Sequence, residues 1–179
     1  MANSVIDLLL RDHRKAENLL GQLDSKSDSE LEDFFCHLRE ELVRHEVAEE
    51  LIVYPAFRED VAGSDEIANA CIEEQSEAEE KLASLEKQDA ASPSFRTQLA
   101  ELREDVIAHA KHEEADVFPA LQRAVSESEL EELGARYEKA LAAAPTHPHP
   151  HAPDSPPGNT VLGPLASLVD RLRDAMRAA

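Results

Sequence analysis

Two segments of this chain repeat one pattern at a spacing of 64 residues. HEVAEELIVYPAF at 45–57 aligns with HAKHEEADVFPAL at 109–121, and in both a His is followed four residues later by Glu and then by an aromatic-Pro-Ala sequence. Residues four apart lie on one face of an α-helix, and this face is otherwise apolar in both segments. Any fold of the chain must therefore provide partners for two His–Glu pairs on buried helical faces.

Polar residues also interrupt the apolar faces of two further helical segments. His13 lies on the apolar face of the first predicted helix, and Gln75 and Glu79 lie on that of the third. Laying His13 over Gln75 gives an offset of 62 residues, close to that of the His–Glu pairs, so the chain is interpreted as a duplicated helical hairpin. Burying isolated polar groups costs several kcal/mol each. A layer of them at matching depth predicts a metal cluster with pseudo-twofold symmetry.

The predicted fold is all-α, an antiparallel up-down four-helix bundle with additional C-terminal helices. The chain has five Gly and no Trp, and strand-like alternation is missing. Its four long helices are predicted near residues 4–23, 29–55, 64–87 and 94–124. The expected organisation is a bundle at 1–125, an accessory helix packed outside it at 126–144, a solvated Pro/His-rich linker at 145–160 and an amphipathic helix at 161–179.

Charge and cysteine content limit the partners and the compartment. The formal net charge is −20, so nucleic acid and anionic membrane surfaces are not expected partners. The apolar stretch at the N-terminus is far shorter than the roughly 20 residues of a membrane helix, which favours a cytoplasmic protein. Cys36 and Cys71 are interpreted as buried thiols.

The ligand types favour particular metals. Imidazole and carboxylate together suit iron or manganese, and the lack of a cysteine cluster argues against structural zinc or an iron–sulfur cluster. Iron is the first expectation and manganese the second.

These segments resemble the hemerythrin-like HHE cation-binding family. The likeness rests on DHRK around His13, RHEVAEE around His45, AEEKL in the third helix and HAKHEEADVFPAL in the fourth, and it spans roughly residues 5 to 124. It implies a hemerythrin-like bundle that holds two iron ions joined by an oxo or hydroxo bridge. The ligands that the resemblance implies are His13, His45, Glu49, His109 and Glu113.

The third helix departs from the family pattern, because Gln75 stands where the family usually has His. Glu79, one turn further on, is our hypothesis for the group that replaces or supplements that ligand. Gln75 itself is interpreted as a weak ligand, a hydrogen-bond donor to a ligand, or a spectator. Tyr54 is a further candidate ligand, whose phenolate would give a ferric centre a visible band; the alternative is a packing residue beside Pro55.

The expected function is redox chemistry on a small oxidant. Oxygen-carrying hemerythrins use five His and two carboxylates, whereas this chain has fewer His and more carboxylate, which favours the ferric state over reversible dioxygen binding. We expect reaction with hydrogen peroxide or dioxygen, with nitric oxide as a further candidate, and a catalase- or peroxidase-like activity in oxidative stress. The alternative is an iron or oxygen sensor that signals through its C-terminal helix. Oxidation of an organic substrate would require a larger pocket.

Overall fold

The computed structural model describes residues 3–150 and Asp170, and this part of the chain contains helices and no strand. In chain order the elements are α1 (Val5–Gln22), a 3₁₀ turn (Leu23–Ser25), α2 (Asp28–Ala48), a π turn (Glu49–Val53), α3 (Tyr54–Asp60), α4 (Asp65–Leu85), α5 (Pro93–His112), a second π turn (Glu113–Val117), α6 (Phe118–Ala124) and α7 (Glu127–Ala143). The long helices α1, α2, α4 and α5 contact one another in a ring. The predicted all-α bundle is confirmed.

Serine side chains cap the N-termini of α1, α2 and α5. The Ser4 hydroxyl accepts a hydrogen bond from the Asp7 backbone N–H, and Ser92 does the same for the first turn of α5. Helix α2 begins one residue before its predicted start, because its capping box pairs Ser27 with Glu30. Ser29 and Glu32 have the same Ser-x-x-Glu spacing and are the pair that the sequence predicts as the capping box, but the helix begins at the earlier pair.

Two π turns directly precede the short helices that contain Pro55 and Pro119. In each turn a backbone N–H bonds the carbonyl five residues earlier, from Tyr54 to Glu49 and from Phe118 to Glu113. The proline that follows has no N–H and crowds the preceding turn, and the wider π turn accommodates its ring. The second helical segment therefore continues past Pro55 to the end of α3, further than predicted. Because both turns begin at a Glu of the repeated pattern, the duplication holds in three dimensions.

The core has two apolar parts separated by a polar layer. One part packs α3, α6 and α7 around the start of α1 and includes Tyr54, Phe57 and Tyr137. The other fills the opposite end of the bundle, where Phe35 and Phe95 meet edge to face at 5.2 Å between ring centroids. The polar layer between them comes from the middle of α1 and α4 and from the places where α2 and α5 continue into the two π turns. It contains residues that interrupt the apolar faces in the sequence.

Helix α7 lies outside the four-helix ring, as expected, and packs on α1, α2 and the first π turn. Its close approach requires Gly134, since a Cβ at this position would collide with the Asn3 carbonyl oxygen. Among residues 3–150, no helix combines the length and apolar character needed to cross a bilayer.

The beginning of the Pro/His-rich segment packs on the bundle, so the expectation of a solvated linker is wrong for its first residues. Thr146 and His147 are buried. The Arg39 guanidinium donates to the Thr146 carbonyl at 2.9 Å and to Glu86 at 2.7 Å, and the Asp170 carboxylate accepts both backbone N–H groups of Thr146 and His147. A buried arginine on α2 fixes this segment. The remainder of the predicted linker and, apart from Asp170, the predicted C-terminal helix lie outside the described residues.

Candidate metal centre

The polar layer brings together predicted ligands from all four long helices. Nε2 of His13 lies 3.2 Å from one oxygen of Glu113, and Nε2 of His109 lies 3.5 Å from the same oxygen. On the other side, Nε2 of His45 lies 3.2 Å from Glu49. Both glutamates are fully buried. The two halves of the repeat thus meet at one place, with each His–Glu pair on a single helix.

The atoms that face the centre of this layer lack hydrogen-bond partners within the described part of the chain. There are six of them: Nε2 of His13, His45 and His109, one oxygen each of Glu49 and Glu113, and the amide oxygen of Gln75. Each unsatisfied buried atom costs about 1–3 kcal/mol, so a fold that gathers six of them requires a common partner. All six are electron-pair donors of the type that bind iron or manganese. The residues present therefore fit a bound metal.

Each of the three histidines is oriented by a hydrogen bond at its other ring nitrogen. Nδ1 of His13 lies 2.9 Å from Glu114, Nδ1 of His109 lies 2.8 Å from Glu74, and Nδ1 of His45 lies 2.8 Å from the Tyr137 hydroxyl. A carboxylate can only accept, so it places the ring proton on Nδ1 and leaves the lone pair on Nε2. The Tyr137 hydroxyl does the same for His45, because its own proton goes to Asp12 at 3.0 Å.

The two buried glutamates are also held in place. The Tyr54 hydroxyl donates to Glu113 at 2.7 Å, and the side-chain amide of Gln75 donates to Glu49 at 2.7 Å. Both donors occupy the oxygen that does not face the histidines. Gln75 therefore holds one carboxylate, and its buried amide oxygen has no hydrogen-bond partner among the described residues. Phe118, the duplicate of Tyr54, stacks on the His13 ring at 5.2 Å.

The layer shifts the pKa values of two of its members, His45 and Glu113, in directions that favour metal binding, whereas Glu113 and Glu114 raise the pKa of His13 against the effect of burial. Burial, with His13 and His109 nearby, lowers the pKa of His45 to about 3, so no proton competes for its lone pair at neutral pH. Burial alone would raise the pKa of Glu113, but His109, His13 and His45 lower it to about 2. Its carboxylate is therefore ionised and available to a cation.

Two other buried carboxyl groups are shifted the opposite way. Burial and the neighbouring charge of Glu113 raise the pKa of Glu49 well above its usual value. Burial also raises the pKa of Glu46, together with the charges of Glu79 and Glu50. Buried carboxyl groups thus lie close together, and the charges of neighbouring carboxylates raise their pKa values. A bound cation would reduce this mutual repulsion.

The two halves of the layer differ in how many ligands they offer. Ligand atoms of His13, His45, Glu49 and Glu113 all lie within 4.8 Å of one another. The other half has His109 next to Glu113, and Gln75 next to Glu49. Glu79, the predicted replacement for a third-helix His, accepts the His149 backbone N–H at 2.7 Å and is not in the group of converging atoms. Its role as a ligand stays a prediction, as does that of Tyr54.

A small cavity adjoins the centre on the side of the second apolar cluster. The volume of this cavity is about 20 Å³. Half of the residues that line it are polar or charged: His13, Glu17, His45, Glu46, Glu74, Gln75 and His109. The other half are apolar: Ala16, Leu20, Leu42, Ala78, Val106, Ile107 and Ala110. A cavity of this volume suits a molecule of one or two heavy atoms.

The three groups that orient the histidines could not be identified from the sequence. Glu74 and Glu114 are neighbours of predicted site residues, and in a chain with 38 acidic residues nothing marks them as partners of a particular imidazole. Tyr137 carried a weak signal, because it continues the apolar face of Leu130 and Leu133 in α7. A buried tyrosine requires a partner for its hydroxyl, but only the docking of α7 shows that this partner is His45.

Fold and site together define a helical-bundle protein with a His and carboxylate metal site. Comparison with known proteins gives the family: residues 4–121 match the family model of the hemerythrin HHE cation binding domain. The chain belongs to the hemerythrin HHE cation-binding family, as the motifs predicted, and is a metal-cation-binding helical protein.

Three relatives show the range of similarity. An uncharacterized hemerythrin-like protein of Schizosaccharomyces pombe is 33% identical over 175 residues, which cover 96% of this chain and 86% of the relative. A DNA nickase of Nostoc sp. is 25% identical over 138 residues, which are 76% of this chain but 39% of that protein. The crystal structure of a hemerythrin HHE cation-binding domain-containing protein from Mycobacterium kansasii has a TM-score of 0.67, 23% identity, and coverage of 78% and 88% of the two chains. This last similarity concerns the fold.

Proposed function

We propose that the chain binds two iron ions in the polar layer and reacts there with hydrogen peroxide or dioxygen, with nitric oxide as a further small ligand. The observation that carries the proposal is the convergence of six buried donor atoms without partners among the described residues. Two fully buried glutamates, each paired with a histidine of its own helix, suit two ions that share carboxylates. Manganese is the second candidate.

Bound iron would supply Lewis-acid polarisation and a change of oxidation state. The chain's own residues prepare the site for that chemistry. Glu114, Glu74 and Tyr137 keep the three Nε2 lone pairs directed inward. Tyr54 and Gln75 hold the two carboxylates, so that little rearrangement is needed when a metal enters.

The cavity beside the centre supports a small oxidant. The apolar half of its lining limits bulk water, and its size admits a diatomic molecule or peroxide. Glu46 lines the same cavity with a carboxyl group whose pKa is raised by burial, so this group can hold a proton next to an incoming oxidant.

The test is metal analysis of protein reconstituted anaerobically with ferrous iron, followed by addition of peroxide and measurement of oxygen release. We expect about two irons per chain and rapid oxygen evolution. Glu113→Ala should lose iron because Glu113 faces two histidines, and His37→Ala should retain it because His37 is exposed. A wild-type protein that binds no iron would overturn the proposal. Two bound irons without any reaction with peroxide, dioxygen or nitric oxide would overturn its redox part.

A second candidate function is an iron sensor that signals through the C-terminal segment. The observation that favours it is the contact between Glu79 on α4 and the His149 backbone N–H, which ties this segment to the helix that carries Gln75. Hydrogen exchange at residues 145–150, with and without iron, tests this candidate. Metal-dependent protection would support the sensor, and identical exchange would count against it.

We do not expect this chain to have the nicking activity named for the Nostoc protein. The chain spans 39% of that protein, and its net charge of −20 repels a phosphate backbone.

A further inference from the structure

A second group of metal-ligating side chains lies behind His109, on the outer side of the centre. Cys71 and Glu74 are three residues apart on one face of α4, and His112 is the last residue of α5. The Cys71 sulfur lies 3.8 Å from Nδ1 of His112, and that nitrogen lies 3.0 Å from one Glu74 oxygen. Ligand atoms of Cys71, Glu74 and His109 lie within 4.8 Å of one another.

We propose that Cys71, Glu74 and His112 form an additional cation site, distinct from the histidine and glutamate centre, for a thiophilic divalent metal such as Zn²⁺. Thiolate, imidazole and carboxylate are the ligands that zinc takes in proteins. At the usual zinc–ligand distances, tetrahedral geometry places neighbouring donor atoms roughly 3.4–3.6 Å apart. The observed separations of 3.0 and 3.8 Å bracket this range.

The surroundings of the group favour a cation that is open to solvent on one side. Cys71 is buried, whereas 27% of the His112 side chain and 41% of the Glu74 side chain are exposed, which leaves a fourth position for water. Burial and the nearby carboxylates raise the pKa of the Cys71 thiol. The same negative field attracts a divalent ion, and binding releases the thiol proton to solvent.

The additional site would be linked to the main centre through one side chain. One oxygen of Glu74 accepts from Nδ1 of His109 at 2.8 Å, and the other oxygen faces His112. A cation on Glu74 therefore changes the group that orients a ligand of the main centre. Its arrival should shift the optical spectrum of bound iron.

The test adds Co²⁺, a spectroscopic substitute for zinc, to the full-length iron-loaded protein. We expect a thiolate-to-cobalt absorption band that saturates near one cobalt per chain and is lost when Zn²⁺ is added. Cys71→Ser should abolish the band. Cys36→Ser is the matched control and should retain the band. Cys36 lies on α2, next to Phe35 of the second apolar part of the core, away from the proposed site.

His112→Ala keeps the proposal testable if Cys71→Ser fails to fold, because His112 is partly exposed. It should weaken cobalt binding by about tenfold or more, and His37→Ala should not. A wild-type protein without the band, a band that survives Cys71→Ser, or unchanged affinity in His112→Ala would overturn the proposal. The band reports sulfur and not the main centre, so iron content measured on the same samples separates this outcome from failure of the proposed function.

Discussion

Replacing Tyr137 with Phe removes one hydroxyl that serves two partners. The hydroxyl contacts Nδ1 of His45 at 2.8 Å and donates to Asp12 at 3.0 Å, and Tyr137 is fully buried. Asp12 keeps another partner, because the Arg11 guanidinium donates to it at 3.0 Å. The substitution therefore mainly removes the hydrogen-bond partner of Nδ1 of His45.

Two effects of different size should follow. A buried Nδ1–H without a partner costs about 1–3 kcal/mol of folding stability. Without its acceptor, the His45 ring can move its proton to Nε2, which blocks the lone pair that faces the centre. Loss of such an orienting group typically costs about 10- to 100-fold in metal affinity, or about 1.4–2.7 kcal/mol.

The assay is anaerobic ferrous-iron binding in competition with a chelator, with urea unfolding of the metal-free protein in parallel. The affinity loss should fall on the ion bound by His13 and His45, while the ion beside His109 binds as before. Asp12→Asn, which leaves the hydroxyl in place, should cost less. Reduced stability with affinity within about twofold of wild type would refute the reasoning, because the hydroxyl would then only stabilise the fold.

Three further predictions test other parts of the chain. Gln75→His should tighten binding of the second iron by about tenfold, since an imidazole would replace an amide oxygen that has no partner among the described residues; unchanged second-equivalent binding would contradict this. In the metal-free protein, burial and neighbouring carboxylates raise the pKa of Glu46 above 4.5, so its contribution to stability is intact below pH 4.5 and lost as the pH rises toward the folded value. In urea unfolding, Glu46→Gln should therefore become more stable relative to wild type as the pH rises above 4.5, by up to about 1.4 kcal/mol per pH unit, whereas exposed Glu59→Gln should show no such trend. Arg39→Ala should cost about 2 kcal/mol in urea unfolding by removing the guanidinium from Glu86 and the Thr146 carbonyl, and exposed Arg123→Ala should stay within about 0.5 kcal/mol of wild type.

The sequence by itself determined the helices and the composition of the polar layer. Helical periodicity is a local property, so it places His45 with Glu49, and His109 with Glu113, on apolar faces without knowledge of the fold. The repeat also indicates that two halves must meet, because neither half can satisfy its polar groups alone. On this basis the bundle and the set of residues that the structure brings together could be predicted.

Only the tertiary structure decided which groups support that set. The acceptors for Nδ1 of His13 and His109 come from other helices, and the hydroxyl that serves His45 comes from α7, which lies 92 residues away in sequence. The folded chain also directs Glu79 to the His149 backbone and places Cys71 beside His112. These contacts depend on how helices rotate and dock against one another. Many acids on several helices satisfy the same local pattern, so periodicity cannot choose among them. Packing places one of them within 3 Å of Nδ1 of His13 and another within 3 Å of Nδ1 of His109.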